Sequence, residues 1–271
     1  MRRLLQSLAI ALGACCAVGI GQNAPVPQAK SPAQCTLPAD TALPLTREQG
    51  AEILAELAKI EDELGVLRGA GGRGTPINAN QTLQVPIDPK WESLGDRRAP
   101  VAVLEYTDLQ CPFCRAFAAS TFPALKKDFV DMGKIWFITR DLPLAMHPFA
   151  EGAAEAARCA GAQGKFWAFR AAVLAETGPP TAEALERQAT ALGLDLGEYG
   201  ACTSQHQFAA EVSADRAAAR EAGIRGTPSF IIGRVRGSDA AGHPLLVGRL
   251  LSGNRSLAEF AAAIAAAEAG K

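Results

Sequence analysis

The chain is poor in the residues from which a metal site or a nucleic-acid surface is built. It has only three histidines, His147, His206 and His243, and they lie far apart. A single Cys-x-x-Cys occurs, at 111–114, with no second copy and no paired histidines at zinc-ligand spacing. A tetrahedral zinc site needs four ligands, so no metal is expected. Lys and Arg number 27 against 28 Asp and Glu, for a net charge of −1. No basic stripe argues for nucleic acid. The hydrophobic content of 48% is ordinary for a globular protein, and the abundant alanine favours helices.

The informative stretch is Cys111-Pro112-Phe113-Cys114. It follows Val101-Ala102-Val103-Leu104-Glu105-Tyr106, an apolar and partly β-branched run that reads as a buried strand. After it, Phe117, Ala118, Phe122, Leu125 and Phe129 recur at roughly helical spacing, with Pro123 expected to kink the helix. The two cysteines therefore sit at a strand-to-helix junction. Free N–H groups and the positive dipole end at a helix N-terminus favour a thiolate, which makes Cys111 the better nucleophile. Pro112 suits the first helical turn because it needs no N–H partner there. Cys114 lies one turn on, where it can attack a mixed disulfide formed at Cys111. This is the layout of a thiol–disulfide exchange centre, with the Cys111–Cys114 disulfide as its redox group and no metal or organic cofactor.

The N-terminus reads as a targeting segment. Met1-Arg2-Arg3 is positive, and Leu4 to Ile20 carries no charge, so residues 1–21 form a signal peptide or anchor and the rest is exported. Leu12-Gly13-Ala14-Cys15 resembles a bacterial lipobox, in which Cys15 would be lipidated. Cleavage of a plain signal near Ala24 and an uncleaved anchor are the alternatives. A bacterial periplasmic location follows, with membrane tethering in two of the three cases. Export permits disulfides. Beyond Cys15 and Cys16, Cys35, Cys111, Cys114, Cys159 and Cys202 make five, so at least one is unpaired or bonded to another molecule.

Residues 22–45 are rich in Pro, Ala and Gln and read as a flexible tether. Residues 46–69 open on a capping box, Thr46 to Gln49, and place Ile53, Leu57, Ile60, Leu64 and Leu67 on an a/d seam. That helix either pairs two chains into a homodimer or docks on its own domain. Residues 75–98 read as irregular, with a compact domain spanning 84–271. Its expected order is strand 101–106, the motif helix, strand 134–140, and a helical block over about 148–222. Strands at 229–233 and 245–250 follow, then a helix capped by Ser256. Two β-α-β-like halves around a helical insertion describe a thioredoxin-type α/β domain.

At this point the chain resembles the DsbA-like family of exported thiol–disulfide oxidoreductases. The resemblance rests on Glu105 to Cys114, Asp141-Leu142-Pro143-Leu144 with His147-Pro148, Gly161 to Trp167, and Gly223 to Phe230, and covers about 100–270. It implies a substrate-linked Cys111, a resolving Cys114, and a cis Pro228 behind Thr227, in a loop that pairs with an extended substrate. It also implies a buried acid at Glu105 that relays protons for Cys114. Asp108 is assigned no chemistry beyond capping. Pro112 and Phe113 fill the dipeptide that tunes the redox poise. Phe113 stands where the strongest oxidases of the family have histidine, so a less depressed Cys111 pKa is expected. The family further implies a second disulfide, Cys159–Cys202, against the alternative of two free buried cysteines. Its partners would be exported cysteine-containing proteins and a membrane redox protein. Oxidase stands against isomerase or reductase. A non-catalytic thioredoxin-fold chaperone and a glutathione-dependent enzyme are the other classes weighed.

Overall fold

Val101–Thr107 buries all seven of its residues, as a strand covered on both faces must. The computed structural model describes residues 82–270. The readings for 1–21, 22–45 and 46–69, with Cys15 and Cys35, lie outside the described residues. The strands are β1 (Thr82–Pro86), β2 (Ser93–Leu94), β3 (Val101–Thr107), β4 (Ile135–Asp141), β5 (Ser229–Ser238) and β6 (Pro244–Ser252). They form one sheet in the order β1-β6-β5-β3-β4-β2. β3 and β4 run parallel, and every other pair is antiparallel.

Side chains alternate across this sheet and fill two cores. Val101, Val103, Ile135, Phe137, Phe230 and Ile232 face one side. There they meet α1 (Pro112–Ser120), α2 (Phe122–Leu125) and α8 (Leu257–Glu268). Phe117 of α1 is the hub, with ring centroids 4.7 Å from Phe230 and 5.6 Å from Phe260. Ala102, Leu104, Tyr106, Trp136 and Ile138 face the other side, over Ala219 of α7 (Ala209–Glu221). Glu105 and Thr139 are register partners on β3 and β4. By the same alternation they lie on the α1 side, under the cysteines.

The expected kink at Pro123 falls at Thr121, which keeps helical backbone and i→i−4 bonds to Phe117 and from Leu125. α1 stops at Ser120, Thr121 caps both helices, and Pro123 sits in the first turn of α2, where its missing N–H is no loss. One wide turn, Lys126–Val130, then leads to β4. Ser256 and Glu259 form a capping box at the start of α8. The expectation that 75–98 is irregular and the domain starts at 84 needs correction. Thr82–Pro86 is a strand whose Leu83 and Val85 alternate inward and whose backbone pairs with the β6 edge. The alternation is present, with Gln84 and Pro86 outward, but it runs for only five residues and ends in proline. Ser93–Leu94 adds a second short pairing on β4.

Between β4 and β5 lie α3 (Ala150–Ala162), α4 (Phe166–Ala175), α5 (Ala182–Ala191), α6 (Leu196–Ser204) and α7. A disulfide joins Cys159 on α3 to Cys202 on α6, across a sequence separation of 43. Closing a loop of that length is worth about 4 kcal/mol in the chain-entropy treatment. We expect the double substitution Cys159→Ser/Cys202→Ser to lower the urea-unfolding free energy of the oxidised protein by about that amount. An unchanged midpoint would show that the cross-link constrains nothing that unfolding releases.

Candidate active site

β3 ends at Thr107, and the chain must turn before α1 can begin. Asp108 makes that turn. Its Oδ1 accepts the backbone N–H groups of Gln110 at 2.8 Å and Cys111 at 3.1 Å. Its Oδ2 accepts the N–H of Leu144 at 2.9 Å and lies 2.7 Å from His147 Nδ1. Its own N–H points at Cys114 Sγ, 3.5 Å away. Cys111 is thereby held in extended backbone as the N-cap residue of α1, with Pro112 in the first turn.

Both cysteines are free thiols in this structure, and both are buried. The accessible neighbour is Phe113, 63% exposed, whereas Cys111 is only 2% exposed. The expected nucleophile is thus covered in this structure. The thiols differ sharply in acidity. Cys111 is drawn from the usual 9.0 down to about 5. The hydrogen bond from the Cys114 thiol is the first cause, and Thr227 and the backbone N–H groups of Cys114 and Phe113 add to it against desolvation. No imidazole is needed at position 113 for this depression. Cys114 is pushed well above 9.0, first by burial and then by Cys111, with the Glu105 charge adding to the rise. One thiol is thus prepared to ionise and the other to keep its proton.

The Thr227–Pro228 peptide is cis. The Cys111 thiol reaches the Thr227 carbonyl oxygen at 3.4 Å, which brings the β5 entry loop against the motif. Thr227 Oγ1 is buried without a hydrogen-bond partner in this dithiol form. A thiolate at Cys111 would give that hydroxyl an acceptor.

Glu105 is fully buried beneath the cysteines, and burial pushes its carboxyl up. Two partners oppose the rise. Arg170 Nη2 donates to Oε1 at 2.8 Å and to Oε2 at 2.7 Å, and Thr139 Oγ1 donates to Oε2 at 3.0 Å. Arg170 and Thr139 escaped the reading of the sequence, as did the Asp108–His147 pair. The available signal for Arg170 was that it is the one charged residue in α4, a helix of otherwise apolar side chains. Its guanidinium also lies 5.4 Å from the Phe122 ring centroid and 5.5 Å from that of Trp167. Among the described residues, no three His, Cys, Asp or Glu side chains are grouped to hold a metal ion. None of the described helices is long and apolar enough to cross a membrane.

The chain matches the family described as thioredoxin over residues 89–242. A Na(+)/H(+) antiporter NhaA 3 of Salinispora tropica is 36% identical over 152 residues, 55% of this chain and 23% of that protein. The chain thus spans about a quarter of the length of that curated relative. A Rickettsia typhi protein, named provisionally as a protein-disulfide oxidoreductase, is 28% identical over 168 residues, 60% of this chain and 61% of that protein. Among solved structures, BdbD of Bacillus subtilis superposes with a TM-score of 0.58 at 22% identity, covering 70% of this chain and 100% of that one. A thioredoxin-like oxidoreductase of Silicibacter pomeroyi gives 0.55 at 27% identity, covering 67% and 94%. The fold is therefore thioredoxin-like, with a block of five helices inserted between β4 and β5.

Two measurements probe the site. From pH 5 to about 9 the folded dithiol form holds Cys111 as thiolate while the unfolded chain holds it as thiol. The unfolded state binds the extra proton, so stability rises with pH across that window and the gain is lost below about 5. The stability difference between reduced wild type and Cys111→Ser in the same buffer should climb from pH 5 to 9; a flat difference would contradict the thiolate assignment. Separately, Arg170→Met should destabilise by about 3–5 kcal/mol by stranding Glu105, and Glu105→Leu/Arg170→Met should recover most of the loss. If the double variant is as unstable as the single, the pair is not the source.

Proposed function

The chain belongs to the thioredoxin family, and from that premise we propose that it is a thiol–disulfide oxidoreductase acting on exported cysteine-containing proteins. The observation that carries this reading is the placement of two free thiols at the start of α1, Cys111 as N-cap residue 3.4 Å from the Thr227 carbonyl and Cys114 buried 3.5 Å from the Asp108 N–H, which splits their acidities downward and upward. A structural cysteine pair has no use for such a split. A disulfide-exchange centre needs it, because one sulfur must attack or leave as an anion while the other resolves.

The pair is best suited to donating disulfides. In the oxidised form a client thiolate attacks Cys111 Sγ, the Cys111–Cys114 bond breaks, and Cys114 leaves and is promptly protonated. A second client thiolate then attacks the client sulfur of the mixed disulfide, and Cys111 leaves as the stabilised thiolate. The client ends as a disulfide. The centre ends with two electrons and one proton more, and the client's other proton goes to solvent. Glu105 lies close enough to Cys114 to raise its pKa by charge and is suited to pass the proton that Cys114 gains. A membrane redox protein would take the two electrons back. The chemistry needs no metal or organic cofactor.

Export by residues 1–21, with lipidation at Cys15 as one route to tethering, belongs to the same reading, as does a homodimer through 46–69. An isomerase role would draw on such a dimer. The low Cys111 pKa favours the oxidising direction, because whatever stabilises the thiolate stabilises the reduced form.

A thioredoxin centre with a cysteine pKa near 7 sits at about −270 mV, and one near 3.5 at about −120 mV. A Cys111 thiol held below the ordinary range makes this centre more oxidising than thioredoxin's. Equilibration with glutathione measures the potential, and a value at or below about −270 mV would rule out disulfide donation. Cys114→Ala should trap reducible adducts with exported proteins, and their absence would favour a non-catalytic binding module.

A further inference from the structure

We propose that the cavity between α3, α5 and α6 is a client subsite that takes a lysine or arginine side chain, carried on an apolar stretch of the client near its reacting cysteine. The proposal rests on the oxidoreductase reading for the identity of the client and on the geometry below for the site.

The cavity has a volume of about 400 Å3 and lies in the helical insertion. Its lining residue Phe149 donates its backbone N–H to Gln110 Oε1 at 2.8 Å, and Gln110 immediately precedes Cys111. Its lining residues Ala156, Leu185 and Tyr199 belong to the same buried cluster as Cys111 and Cys114. The cavity wall is thus linked through Phe149 and Gln110 to the residue that precedes Cys111.

The walls are apolar, and two of them are uncovered. Phe149 is 39% exposed and Leu196 is 42% exposed, among few large hydrophobic side chains that face solvent. The fixed charges of the lining are both negative. Glu155 and Glu186 line the cavity with His206, and no lysine or arginine does. The Glu155 side chain is only 6% exposed, and burial raises its carboxyl above the usual range. Its one hydrogen-bond partner among the described residues is His206, whose Nδ1 lies 3.0 Å from Oε2. Glu186 adds to the burial that pushes the Tyr199 hydroxyl up to about 12. An acidic cavity with greasy walls is complementary to a long aliphatic stem that ends in a cation.

His206 is placed by the end of α6. Its φ of 49° is the left-handed position that closes the helix, with the Gln207 N–H donating to the Cys202 carbonyl at 3.1 Å and the His206 N–H to that of Thr203 at 3.2 Å. Here the conformation sets the imidazole against Glu155 at the cavity wall.

The test uses full-length protein and cysteine peptides that differ only by Arg, Ala or Glu at one position within a few residues of the cysteine. Exchange rates with the oxidised centre are measured alongside those of dithiothreitol, which is too small to reach the cavity and Cys111 together. Two variants fill or neutralise the cavity. Gly200 lines it, and a Cβ there meets nothing within 4 Å, so Gly200→Trp sends its ring into the cavity from an unobstructed Cβ. Glu155→Gln/Glu186→Gln removes the charge. Gly152→Phe, at a second open lining glycine, guards against misfolding of the first variant.

We expect the Arg peptide to react about tenfold faster than the Glu peptide, with both variant types bringing the ratio to within about twofold. Dithiothreitol rates should not change. A wild-type protein indifferent to the substituted residue, or a preference that survives filling and neutralisation, would overturn the subsite. Fluorescence anisotropy with a serine-for-cysteine Arg peptide judges the subsite without any exchange. Binding that Gly200→Trp abolishes supports it, and no binding counts against it. Failure of dithiothreitol to reduce the wild-type centre would instead overturn the oxidoreductase reading.

Discussion

The carboxylate of Asp108 has no exposed surface, and three backbone N–H groups and an imidazole nitrogen converge on it. A buried carboxylate is tolerable only when its lone pairs are taken up, and here they are. Those contacts tie the end of β3 to the start of α1 and to the loop before α3. Removing the carboxylate would orphan several buried donors at once. The positions of Cys111 and Cys114 relative to the helix N-terminus, and so their acidities, follow from this one junction. The turn is a structural device whose consequence is chemical.

A second buried polar layer joins the sheet to the helical insertion. Arg140 on β4 and Arg158 on α3 share Asp215 on α7, and Arg158 also bonds Asp141 at 2.6 Å. Burial lifts Asp141 to about 6 despite Arg158, and Asp215 adds to the rise. The Arg140 guanidinium stacks 4.0 Å from the Trp91 ring centroid. Glu105 and Arg170 repeat the theme nearer the cysteines. Buried ion pairs contribute little net stability against well-packed apolar residues, but breaking one is costly. Their effect here is to fix how the insertion sits on the sheet, because each charge has only one place where it is matched. An apolar interface would tolerate sliding. Sliding would carry Arg170 off Glu105 and the wall of the α3–α5–α6 cavity away from Cys111.

Much of this was legible in the sequence where the signal was local. The Cys-x-x-Cys, its strand, its helix and the alanine-rich block all declare themselves by periodicity within a short window. Cys159 and Cys202 could be paired only by resemblance, since spacing alone does not choose partners. What stayed hidden depends on packing at long range. Arg170 meets Glu105 across 65 positions, and Thr139 meets it across 34. Asp108 finds His147 39 positions on. Nothing in the neighbourhood of any one of these residues announces its partner. β1 was missed for a different reason. Five residues ending in proline carry too little pattern, and the strand exists because the β6 edge is there to pair with it.

The acidity of Cys111 is tied to the redox state of its neighbour. The first cause of its low pKa is the Cys114 thiol, a donor that exists only when the disulfide is open. Helix N–H groups act on the sulfur in either state, so they tune both forms. The Cys114 hydrogen bond tunes only the reduced form, and its whole worth enters the redox balance. The same bond has a kinetic cost. While it stands, the thiolate is calmed as a nucleophile, since nucleophilicity falls with pKa. Removing Cys114 therefore does two things at once: it deletes the resolving thiol, and it returns Cys111 towards the acidity that the helix and Thr227 alone can support. Adducts of such a variant would last because nothing resolves them, and would form no more slowly near neutral pH, because a sulfur whose pKa moves toward ambient pH gains more in nucleophilicity than it loses in ionised fraction. A centre built this way favours release of a finished disulfide over capture of a new one, which is the balance a disulfide donor requires.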